Sequence, residues 1–214
     1  MKILFIGNSH TFCNGLPYQV RELLRTSNPE VDVAMFATGG MTLGWHAEQP
    51  ETQMAIQFNE WDYIVLQQKT HPFDGYDALL KDCKSLLPRL RKTQAEILLF
   101  MTWAEKRVPA NQAILDQAFI HVAQEIRARV VPVSKAWQRI LQTESNIELY
   151  DTDGEHASPI GSYLAACSFY AVIHEASPVG LPGKICVNQD VLADVPVDYA
   201  NTIQRAAWWA LQYG

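Results

Sequence analysis

No apolar run in this 214-residue chain approaches the roughly 20 residues needed to span a bilayer, so a membrane helix is not expected. Only four apolar residues follow Lys2 before Gly7, too few for the core of a signal peptide. The expectation is a soluble, cytoplasmic protein with no membrane partner, a reading that a removed secretion signal would also satisfy. Cysteine is scarce: Cys13, Cys83, Cys167 and Cys186 stand apart without Cys-x-x-Cys spacing, which excludes a dense disulfide scaffold and a zinc-ribbon site. Cys83 and Cys167 fall in amphipathic helical patterns and read as small core residues. His46, His71 and His156 with Asp153 can be imagined around an ion, but His-x-His and His-Glu-x-x-His patterns are missing, so no metal and no cofactor are expected.

A phosphate loop of the Gly-x-x-x-x-Gly-Lys-Ser/Thr type is also missing. The glycines from Gly39 to Gly44 have the wrong spacing for a dinucleotide loop and follow the second strand rather than the first. Basic residues are in deficit, 17 against 23 acidic, for a net charge of −6. Nucleic acid needs a concentrated cationic face, and the one basic cluster, Lys81 to Lys92, has helical spacing and reads as a solvated helix face. Internal repeats, low-complexity segments and linkers are absent, so residues 1–214 are expected to form one domain.

What the chain does have is apolar residues, 48% of the total, in a pattern that alternates strands with helices. Ile3-Leu4-Phe5-Ile6 is the continuous run of a strand covered on both faces. Strands are predicted at Val31 to Ala37, Trp61 to Leu66, Ile97 to Met101 and Val130 to Val133, the last placed at an edge by Pro132. Helices are predicted from about Pro17, from Leu43 to Phe58, from Asp74 to Lys92 and across Leu115 to Ile126. Another starts at Ser158-Pro159, a cap followed by a first-turn proline, and Val197 to Tyr213 closes the chain after a Pro/Gly-rich loop at Pro178 to Gly183.

Two segments carry chemistry. The first strand runs into Gly7-Asn8-Ser9, which puts Ser9 at the carboxyl edge of the sheet, where open α/β sheets bind ligands. Backbone N–H groups at that turn favour developing negative charge. Far downstream, Asp153-Gly154-Glu155-His156 places an acid and a base three apart in a tight loop. A serine hydroxyl needs a base to take its proton, histidine titrates in the working range, and an aspartate on the far ring nitrogen fixes its tautomer. Asp151 is the weaker choice for that acid.

These blocks resemble, in order, those of the SGNH (GDSL-like) hydrolase superfamily: Gly7-Asn8-Ser9, then Gly39-Gly40, then an amide after the third strand, then Asp153-x-x-His156. The resemblance covers residue 3 to about 170. It implies a three-layer α/β/α, flavodoxin-like parallel sheet of about five strands. It implies Ser9 as nucleophile, His156 as base and Asp153 as orienting acid. It further implies an oxyanion hole from the Ser9 N–H, a glycine N–H, best matched by Gly40, and a side-chain amide.

Two positions depart from the family pattern. Asn8 stands where the family has Asp, and an amide makes similar turn hydrogen bonds. The third block lacks its Asn, and Gln67 or Gln68 offers the same donor on a longer arm, with His71 at the position a strict count gives. Asn8, His10, Trp45, His71 and Trp103 fall where they could contact substrate, although aromatics at strand ends also serve as core. The implied activity is ester hydrolysis through an acyl-enzyme on a small-molecule ester. Short acyl groups such as acetyl on carbohydrate are favoured, because the Gln-type third block is similar to that of some carbohydrate esterases. Lipid-ester or thioester hydrolysis and a non-catalytic flavodoxin-like binding module are the alternatives.

Overall fold

The computed structural model describes residues 1–144 and 146–213. Strands β1 (Lys2–Gly7), β2 (Asp32–Ala37), β3 (Tyr63–Leu66), β4 (Glu96–Phe100) and β5 (Arg129–Val131) form one parallel sheet in the order β2-β1-β3-β4-β5. The connecting helices are α1 (Ser9–Phe12), α2 (Leu16–Arg25), α3 (Leu43–Glu48), α4 (Pro50–Gln57), α5 (Tyr76–Leu90), α6 (Asn111–Ile126), α7 (Val133–Thr143) and α8 (Pro159–His174). An antiparallel hairpin, β6 (Lys184–Val187) and β7 (Asp190–Asp194), precedes the last helix, α9 (Val197–Tyr213). This is the parallel sheet covered on both faces that the alternating pattern predicts, in the three-layer, flavodoxin-like form that the resemblance implies.

Side chains alternate across each strand, and the core divides accordingly. Ile3, Phe5, Val65, Leu98 and Phe100 face one layer, which holds Leu16 to Leu24 of α2, Trp137 of α7, α8 and α9. Leu4, Ile6, Ile64, Leu66 and Leu99 face the other, which holds residues of α3 to α6. Helix α8 is buried along nearly its whole length because α2, α7 and α9 enclose it. Cys83 and Cys167 are fully buried, as expected of small core residues.

Three elements differ from the sequence expectation. The predicted helix over Leu43 to Phe58 is two helices, because Gln49 precedes Pro50 and takes an extended conformation (φ −80°, ψ 124°). Helix α7 begins directly after the edge strand, within the segment read as the end of β5. The β6–β7 hairpin lies past the Pro/Gly-rich loop and had no predicted counterpart.

The strand order reverses between β1 and β3, which opens a crevice at their carboxyl ends. Gly7 closes β1 there. A Cβ on Gly7 would lie 2.3 Å from Thr11 Oγ1 and 2.5 Å from Gln67 Oε1, so only glycine lets the turn pack on the end of β3. Alanine is the better strand residue by roughly 0.5–1 kcal/mol in intrinsic terms. Gly7→Ala should nevertheless destabilise the protein by about 1–3 kcal/mol through overpacking, read as a lower urea midpoint; an unchanged or higher midpoint would contradict the packing described.

Candidate active site

The turn after β1 is built on hydrogen bonds that leave Ser9 half-buried at its apex. Asn8 caps α1: its Oδ1 accepts from the His10 N–H at 3.1 Å, and its Nδ2 donates to Met41 O at 3.1 Å. The Asn8 N–H donates to Gln67 Oε1 at 2.8 Å, and Thr11 Oγ1 donates to the same oxygen at 2.9 Å. Below the turn, His46 Nε2 donates to Gly7 O at 2.6 Å. The Asn8–Met41 bond draws in the turn at Gly39-Gly40. Gly40 has a φ of +73°, which disfavours any side chain, although a Cβ there would meet nothing within 4 Å.

The second loop is a tight turn between Tyr150 and Ala157, which pair as an antiparallel bridge. Asp151 N donates to His156 O, and Gly154 N donates to Asp151 O. Asp153 Oδ1 accepts from the N–H groups of Glu155 and His156 at 2.8 and 2.9 Å. Its other oxygen, Oδ2, accepts from His156 Nδ1 at 2.6 Å. That acceptor fixes the tautomer, so His156 Nε2 presents a lone pair, and Ser9 Oγ donates to it at 2.7 Å. Burial opposes ionisation of Asp153, but the hydrogen bonds from His156 and Glu155 prevail and hold its carboxyl down at about 2.

The loop is tied to the sheet edge from three directions. Trp103 Nε1 donates to Glu155 O at 2.9 Å, Lys106 N donates to Gly154 O at 2.9 Å, and Tyr150 Oη donates to Ala104 O at 2.9 Å. From the serine side, Asn14 Nδ2 donates to Ala157 O at 2.8 Å and to Ser162 Oγ at 2.9 Å. Asn14 sits in the left-handed region (φ 54°), in the short 3-10 turn between α1 and α2. Sequence reasoning missed Asn14; a residue type tolerant of that backbone, five positions beyond the serine, was the available signal.

The remaining predicted residues divide sharply. Gln67 is fully buried, and its Nε2 donates to Gln68 O at 2.5 Å. Gln68 accepts from the Leu43 N–H and donates to Asp82 Oδ2. Both amides therefore brace loops. Asn8 is 3% exposed with both ends of its amide used, so its expected substrate contact is corrected to a capping role. Trp103 is also corrected: it is 1% exposed and stacks on Trp137 at 3.8 Å between centroids, inside the core. Trp45 is half-buried in a groove with Met35, Thr38 and Gln49, along β2.

His10, which is buried, and His71, which is half-buried, belong to one hydrogen-bonded chain. His71 Nε2 donates to Trp103 O at 2.9 Å, so its Nδ1 is an acceptor and takes a hydrogen bond from His10 Nε2 at 3.0 Å. The His10 ring lies between Trp103 and His156, with centroids at 5.4 and 4.9 Å. Burial pushes the pKa of His10 well down, and His71 and His156 add to this, with Asp153 opposing. Burial likewise lowers His71 and His46. Cys13 is nearby, but burial and then the carboxylates of Asp153 and Asp151 push its thiol up, which keeps it protonated. His71, Glu105 and Glu155 bring one ligand atom each within 4.8 Å of one another, a grouping that no sequence spacing announces. Arg107 already bridges the two carboxylates, and both His71 nitrogens are engaged.

Five parallel strands ordered β2-β1-β3-β4-β5, with helices on both faces, form a three-layer fold like that of solved GDSL-like hydrolases. Several solved structures share it. A DUF4886-family protein from Bacteroides uniformis has a TM-score of 0.78 at 19% identity, over 100% of this chain and 95% of that one. A member of the lipolytic G-D-S-L family from Veillonella parvula has a TM-score of 0.65 at 14% identity, covering 82% and 100%. The acetylxylan esterase Axe2 from Geobacillus stearothermophilus, solved as a catalytic mutant, has a TM-score of 0.61 at 17% identity, covering 80% and 92%. The chain matches no protein-family model and no curated protein. Among the described residues no helix is long and apolar enough to cross a membrane.

Two predictions follow from this geometry. Asn14→Ala frees the backbone beside His156, and it should slow hydrolysis of p-nitrophenyl acetate by up to about 100-fold while the chain stays folded. A rate within twofold of wild type would remove Asn14 from the positioning of the loop. The buried histidines also set a pH dependence. The unfolded chain takes a proton on His10 near its ordinary value, about 6.5, and the folded chain resists it. Stability should therefore fall as pH drops from about 6.5 to 5, by up to about 1.4 kcal/mol per pH unit from His10. Urea midpoints of wild type and His10→Gln across that window should differ in slope, the variant being flatter; parallel slopes would contradict a neutral His10.

Proposed function

We propose that this protein is a serine ester hydrolase that works through an acyl-enzyme on short acyl esters, with O-acetylated carbohydrates as its substrate class. One observation carries the reading: Ser9 Oγ lies 2.7 Å from His156 Nε2, and His156 Nδ1 lies 2.6 Å from Asp153 Oδ2. These are the contacts a hydroxyl nucleophile, its base and the base's orienting acid require. Two esterase-class names among proteins of the same fold support it, a lipolytic G-D-S-L family member and an acetylxylan esterase.

In this mechanism His156 takes the Ser9 proton as Oγ attacks the ester carbonyl, and the Asp153 carboxylate stabilises the imidazolium that forms. The negative charge on the tetrahedral oxygen is met by the N–H groups of Ser9 and Gly40. The first N–H groups of a helix lack intrahelical acceptors, which suits the Ser9 N–H at the start of α1 to that role. Gln67 and Gln68 contribute by holding the turns, since both are buried and each amide donates to a structural partner, Gln68 O or Asp82. Collapse of the intermediate sends the His156 proton to the leaving alcohol. Water activated by His156 then releases the acid. The neutral state of His10 and His71 matters here: His156 is the one imidazole of the three that carries charge during the reaction.

Hydrolysis of p-nitrophenyl acetate tests the assignment. Ser9→Ala and His156→Ala should each lower kcat/KM on the order of 1,000-fold or more, and Asp153→Asn by somewhat less. Equal rates for wild type and Ser9→Ala would take Ser9 out of the mechanism.

A further inference from the structure

A cavity of about 470 Å³ lies at the same sheet edge, between the loop that follows β3 and the loop that follows β4. His71, Phe73, Glu105, Arg107, Val108 and Asn111 line it. Its volume falls in the range of small-molecule sites. Two contacts tie it to the reacting groups. His71 in its wall bonds His10, whose ring packs on His156. Arg107 in its wall reaches across to Glu155, the residue before His156, through Nη2 at 3.4 Å.

The lining is unusual for a cavity that would take a hydrocarbon chain. Glu105 is 7% exposed yet lines the space as a carboxylate, held below the usual range by the Arg107 hydrogen bond. Arg107 Nε donates to Glu105 Oε2 at 2.6 Å, while its side chain is 74% exposed and therefore free to re-aim. A guanidinium carries five N–H donors, and these two contacts leave others available. Asn111 adds an amide donor and acceptor at the start of α6. Acceptors and donors thus both line the cavity, and Phe73 and Val108 add apolar surface. A sugar needs both: each hydroxyl donates and accepts, and the C–H face packs on an aromatic or aliphatic surface.

We propose that this cavity is the subsite for the alcohol half of the ester and that it takes a sugar residue, with Glu105, Arg107 and Asn111 hydrogen-bonding its hydroxyls. The proposal rests on the esterase reading and adds the residues that select the substrate. The cavity wall is linked to His156 through His71 and His10, which sets the subsite beside the reacting groups. A lipid would leave the Glu105 and Arg107 groups desolvated against hydrocarbon, which disfavours it.

Binding to the intact Ser9→Ala protein tests this without turnover. Acetylated xylobiose, titrated by calorimetry, should bind saturably. Adding Asn111→Ala or Arg107→Ala should weaken it tenfold or more, each variant first checked for an unchanged circular dichroism spectrum. Asn111→Asp, which keeps an acceptor at an exposed position, should weaken it less than Asn111→Ala. No saturable binding, the same Kd in the Asn111→Ala and Arg107→Ala variants, or tighter binding of a lysophospholipid than of the sugar would overturn the subsite. Failure of the esterase reading shows separately, as p-nitrophenyl acetate hydrolysis that survives Ser9→Ala.

Discussion

The hydrogen bond from Ser9 Oγ to His156 Nε2 joins residues 147 positions apart, and the structure of the sheet edge is organised around it. Neither group is placed by a single strong interaction. The serine turn is fixed by Gly7 against Gln67, by the Asn8 cap and by His46 under the Gly7 carbonyl. The histidine loop is fixed by Asp153 from within and by Asn14, Trp103, Lys106 and Tyr150 from outside. Each such bond is worth only about 0.5–1.5 kcal/mol net, but each is directional, and together they define one geometry.

Electrostatics reinforce the same arrangement. The Asp153 carboxylate stays ionised and faces one imidazole, while burial favours the neutral form of His10, which is buried, and of His71, which is half-buried. Trp103, stacked between Trp137 and His10, supplies the low-polarity wall that keeps them so. It also bonds both the Glu155 and His71 segments, through its indole N–H and its carbonyl. A residue that reads as a strand-end aromatic is thus the buried post on which the loops lean.

The parallel sheet was legible because Ile3 to Ile6 and its counterparts are unbroken apolar runs, a signal that depends on burial from both faces. The juxtaposition of Ser9, Asp153 and His156 was legible for a different reason: each is a residue type tied to a recognisable local turn. What escaped was set by contacts remote in sequence. Gln67 and Gln68 carry the amide that the family pattern asks for, yet Asn8, Thr11, Leu43 and Asp82 decide what those amides do. Glu105, Arg107 and Glu155 lie on two loops and become a cluster only after folding. Helix α7 did carry a local signal, with Val133, Ala136, Trp137 and Ile140 at helical spacing, but Pro132 drew the reading toward a strand end.

Mass spectrometry of the intact protein after treatment with a fluorophosphonate tests the central claim most directly. The account predicts a single adduct, located by digestion on the peptide that bears Ser9 and lost in His156→Ala. A protein that stays unmodified, or that carries its adduct on another residue, would contradict it.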